Sequence, residues 1–68
     1  EIIRQFFKDF FNAIKNIYLS KYPDDVASEL AERSVAEVEG AISLSRIFDD
    51  KTYLTNTLKR IIQRIEKQ

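Results

Sequence analysis

The 68-residue chain reads as all-α, with three antiparallel helices, one of which invites close approach by a further helix. Three observations predict this. Apolar residues recur at spacings of three and four and never alternate strictly, as amphipathic helices require and strands do not. Strong breaking signals fall at two places only, Tyr22-Pro23-Asp24-Asp25 and Asp49-Asp50-Lys51-Thr52. Between them, Ala27, Ala31, Ser34, Val38, Ala41 and Ser45 form a stripe of mostly small residues that invites close approach by another helix.

The first helix is expected over residues 2–21. Ile3, Phe7, Phe10, Ile14 and Ile17 mark its apolar face, with Phe6, Phe11 and Tyr18 widening it. Arg4, Lys8, Asp9, Asn12, Lys15 and Asn16 take the other side. The rings of Phe7, Phe10 and Phe11 suit either a core or the wall of a pocket for an apolar ligand. Pro23 disfavours helical geometry at Tyr22 and ends this helix near Lys21.

The second helix is expected from about Asp24 to Phe48. Asp24 and Asp25 can satisfy free amides and face the positive end of its dipole. Large apolar residues flank the small stripe on more than one side, so two faces should be covered. Gly40 costs about 1 kcal/mol against alanine inside an exposed helix, which close approach of a neighbour would offset. The third helix is expected over 52–66, started by Asp50 or Thr52. Leu54, Leu58, Ile61 and Ile65 form its stripe, reinforced by Tyr53 and Ile62. Its late basic residues suit the negative end of the dipole.

A chain of this length buries only ~60% of the surface it exposes when unfolded. With no Cys and no His, disulfides and the usual zinc sites are excluded, which leaves oligomerisation or additional chain as support. Eleven basic and eleven acidic residues cancel, against a whole-chain nucleic-acid or membrane surface. The charges are unevenly placed. Residues 1–22 hold four basic and two acidic groups, 23–50 two and eight, and 51–68 five and one. That pattern favours packing of the helices on one another.

Little chemistry is available. The commonest general base and the thiol nucleophile are missing, and a single glycine cannot build a phosphate loop. The aspartate pairs sit where helix starts need them and match no calcium loop. Glu29, Glu32 and Glu39 lack the histidine that a di-iron helix carries three residues on. The chain is therefore expected not to be an enzyme and to hold no metal or cofactor. Arg33, Glu39 and Arg46 flank the stripe and read as structural ion-pairing groups.

The run Val38-Glu39-Gly40-Ala41-Ile42-Ser43-Leu44-Ser45-Arg46-Ile47, followed by Asp50 and Leu54, resembles the C-terminal effector domain of TetR-family transcriptional regulators. The phenylalanine-rich first segment and the proline-bearing turn resemble the helix and loop before it. Ser43 and Ser45 stand where one large branch of that family has an aliphatic residue and alanine. The second turn lacks that branch's proline. The resemblance spans roughly residues 6–65. It implies a homodimer in which the last two helices form a four-helix bundle with those of a second subunit, a ligand-responsive repressor, and DNA binding only through an N-terminal helix-turn-helix domain that this segment lacks. It implies a small apolar inducer, with Phe7, Phe10 and Phe11 near its pocket, a cytoplasmic setting and no membrane partner.

The expected dimer interface comprises Ala31, Ser34, Val38, Gly40, Ala41, Ser45, Leu54, Leu58, Ile61 and Ile65. Two other readings stand beside this one. The first is a self-contained three-helix adaptor for another protein's helix. The second is a carrier of hydrophobic ligands that uses the Phe cluster.

Overall fold

A computed structural model describes residues 2–67, which form three α-helices with no strand among them. They are α1 (Ile2–Leu19), α2 (Asp24–Ile47) and α3 (Thr52–Glu66). By contact pattern the chain divides into two compact units, Glu1–Val35 and Ala36–Gln68, and α2 is shared between them.

In the first unit, α1 ends at Leu19, two residues earlier than its periodicity suggests. Its last turn closes on short-range bonds: the Ser20 amide and hydroxyl both donate to the Ile17 carbonyl, and the amides of Lys21 and Tyr22 donate to that of Tyr18. Pro23 does not enter the helix that follows. Its carbonyl accepts the first helical bond, from the Ala27 amide at 2.9 Å. Asp25 accepts from the Val26 amide, while Asp24 turns to Lys15 at 3.2 Å and ties the start of α2 to the end of α1. Ile14 and Tyr18 of α1, and Ala27, Ala31 and Ser34 of α2, are buried. Ser34 satisfies its hydroxyl by donating to the Leu30 carbonyl one turn back, at 3.0 Å.

The apolar face drawn for α1 is rotated from the buried one. Ile3 and Ile17, counted there as core, are exposed, while Phe7, Phe10 and Phe11 are half-buried. The apolar arc covers about half the helix circumference, and only the flank around Ile14 and Tyr18 is covered.

In the second unit, α2 stops in a Schellman arrangement. Asp49 adopts left-handed backbone, φ 51°, and the Asp50 amide reaches back to the Ser45 carbonyl at 3.0 Å. Asp50 then serves α3: its Oδ1 accepts from the Thr52 amide at 2.9 Å and the Thr52 hydroxyl at 2.7 Å. The Phe48 and Tyr53 rings stack across the turn at 5.7 Å. Val38, Ala41, Thr57 and Ile61 are buried. Thr57 was not among the residues expected in the α3 stripe. It fits the interior because it is small and its hydroxyl accepts from Arg60 at 3.0 Å.

Candidate association surface

The small stripe is the chain's own interior. Ala31, Ser34, Val38 and Ala41 are buried in a single copy, as is Ile61. Ser45, Leu54 and Ile65 are half-buried, and only Gly40 and Leu58 of the expected interface residues are exposed. Small side chains mark a face that some helix will approach, but not whose helix. Here the stripe is covered without a second subunit. A Cβ placed at Gly40 would meet nothing within 4 Å, so no helix among the described residues makes a close approach there.

The α2–α3 hairpin is clasped on one side. Arg64 donates from Nη1 to Glu37 Oε1 at 2.8 Å and from Nη2 to Oε2 at 2.9 Å, a bidentate pair between half-buried side chains. Helix geometry places Leu58 and Ile62 about 120–160° around α3 from Arg64, and Ile42 about 140° around α2 from Glu37. The flank away from the clasp therefore carries exposed and half-buried apolar groups, bordered by Lys59 and Glu66. Leu58 is 39% exposed and Ile62 54%, beside half-buried Ile42 and Ile65. Gly40 lies about 160° from Ile42 and is not on this side. Leu44 and Ile47 of α2, and Phe48 in the turn after it, are also exposed. The expected interface omitted Ile62. Its position one turn from Leu58 was a signal for including it.

Tyr18 and Ser45 each bury a hydroxyl that has no hydrogen-bond partner in the described residues. The Asp50 pKa is lowered. The Thr52 hydroxyl and then its amide hold the carboxylate below the usual range, and partial desolvation opposes them weakly. Of the expected pocket residues, Phe7 and Phe10 both meet Phe6, edge-on at 5.2 Å and stacked at 6.1 Å. Phe11 is half-buried nearby on the same helix.

Among the described residues no three His, Cys, Asp or Glu side chains gather to hold a metal, and no helix is long and apolar enough to cross a membrane. In comparisons with known proteins, no family model, curated protein or solved structure matches the chain.

Proposed function

We propose that this chain is the C-terminal dimerisation and effector domain of a TetR-like, ligand-responsive transcriptional repressor acting in the cytoplasm. The open side of the hairpin, Ile42, Leu58, Ile62 and Ile65, carries the reading. Two copies meeting there complete a four-helix bundle, and the apolar groups of each leave water at about 25 cal/mol per Å² buried. The Glu39-Gly40-Ala41 to Arg46 motif supports the family assignment. DNA is read by a separate N-terminal head, and dimerisation sets the spacing of two such heads. An apolar inducer held near Phe7, Phe10 and Phe11 would couple to DNA binding by shifting that spacing.

The interface moves from the one first drawn on the small stripe to the flank beside it. Sedimentation of the chain tests this. The wild type should self-associate at low micromolar concentration, and the pair Leu58→Lys, Ile62→Lys should lose one association step while keeping its helical dichroism. A wild type that stays monomeric, or an unchanged mass in the double variant, overturns the proposal.

A further inference from the structure

A second apolar stripe is uncovered, on α1. Ile3, Phe6, Phe10, Ala13 and Ile17 follow spacings of three, four, three and four, a heptad seam. Ile3 is 64% exposed, Phe6 55% and Ile17 46%; Ala13 is exposed and Phe10 half-buried.

The seam is complementary to itself about Phe10, with like residues at its ends and a large one matched to a small one between. Laid antiparallel on a copy of itself, it sets Phe10 on the twofold axis, Phe6 against the small Ala13, and Ile3 against Ile17. A parallel copy would set Phe6 on Phe6 and leave a gap between the alanines.

Charge fits the same occupant. Arg4, Lys8 and Lys15 lie roughly 140–180° around α1 from the seam's centre, so two copies meet without opposing cations. That placement disfavours an anionic lipid surface, which needs its cations beside the apolar strip. Among the described residues of α1, the charge nearest the seam is Asp9, which accepts from Gln5 at 2.9 Å.

We infer that α1 is a second self-association element, pairing antiparallel with α1 of another copy through the Ile3–Ile17 seam. The contact is independent of the α2–α3 face, and sedimentation of the full chain separates the two. Ala13→Arg places a long side chain where Phe6 of the other copy should fit, at an exposed site where folding has no stake. It should weaken this contact at least tenfold and remove one association step, both in the wild type and in the Leu58→Lys, Ile62→Lys background.

If the α2–α3 reading fails, Ala13→Arg alone yields the monomer. If the present inference fails, Ala13→Arg leaves the mass unchanged in both backgrounds.

The chain has no native cysteine, so oxidative cross-linking reads the direction. Under oxidised glutathione, Ile3→Cys mixed with Ile17→Cys should form a mixed disulfide, with little product from Ile3→Cys alone. Preferential linking of Ile3→Cys to itself, or no linking in the mixture, overturns the antiparallel pairing. Asp9→Asn should tighten the association by removing the one like-charged pair near the axis, and a weakened complex would count against that register.

Discussion

Asp49 holds a conformation that L-residues other than asparagine and aspartate rarely adopt, and it does so at the point where α2 must end. Glycine takes the same conformation without a Cβ penalty. Asp49→Gly should therefore stabilise the fold by about 0.5–1 kcal/mol, read as a rise of several degrees in Tm. The Tyr18 hydroxyl makes the opposite kind of statement, because it is buried with nothing to bond. Removing it leaves the packed ring in place, so Tyr18→Phe should be neutral or stabilising by about 1 kcal/mol in urea unfolding. Asp50 links stability to pH. Its folded-state pKa is depressed, so its contribution is present above the unfolded carboxylate value and lost as pH falls through the folded one. Thr52→Val removes the larger of the two causes. The acid limb of its stability curve should then be shallower than that of the wild type. Of these three features, only the place of Asp50 at the start of α3 was legible in the residue string. The aspartate turn was visible as punctuation, but the left-handed backbone at Asp49 rather than Asp50 depends on where α2's last bonds close.

At the scale of the helices, spacing alone placed all three, and the third within its observed bounds. What spacing left open was which flank of each would be covered. The apolar arc of α1 is wide enough to serve two directions, and the fold uses the Ile14–Tyr18 flank. On α3 the buried line runs through Thr57 and Ile61, leaving Leu58 outside. A threonine with a local arginine partner carries no periodic signal, so its burial could not be read in advance. The clasp between Glu37 and Arg64 was hidden for another reason: partners 27 residues apart meet only once the hairpin has formed. A double-mutant cycle with Glu37→Gln and Arg64→Met should return a coupling of about 1 kcal/mol, above most exposed pairs because both ends are half-buried and the geometry is bidentate. Gly40→Ala should stabilise α2 by about 1 kcal/mol, since the added methyl meets open space.

For the molecule as a whole, stability and association are one problem. A 68-residue chain whose largest fully buried side chains are Tyr18 and Ser34 has a thin interior. The proposed contacts between copies would add to folding by mass action. Tm should rise with protein concentration for the wild type and be flat for the chain carrying Ala13→Arg, Leu58→Lys and Ile62→Lys together. Scanning calorimetry at several concentrations checks this. The need for outside support could be inferred from length and the absence of Cys and His. The surface that supplies it could not, because a residue pattern marks what will be covered and leaves the cover unnamed.

The bareness of Gly40 has a consequence for how α2 breathes. With no side chain on that side, water reaches the peptide groups of the middle turn more readily than those beneath Val38 or Ala41. Amide deuterium uptake in α2 should begin at its waist as well as at its ends. A long helix that two packed units share would then first loosen near the place where one hands over to the other.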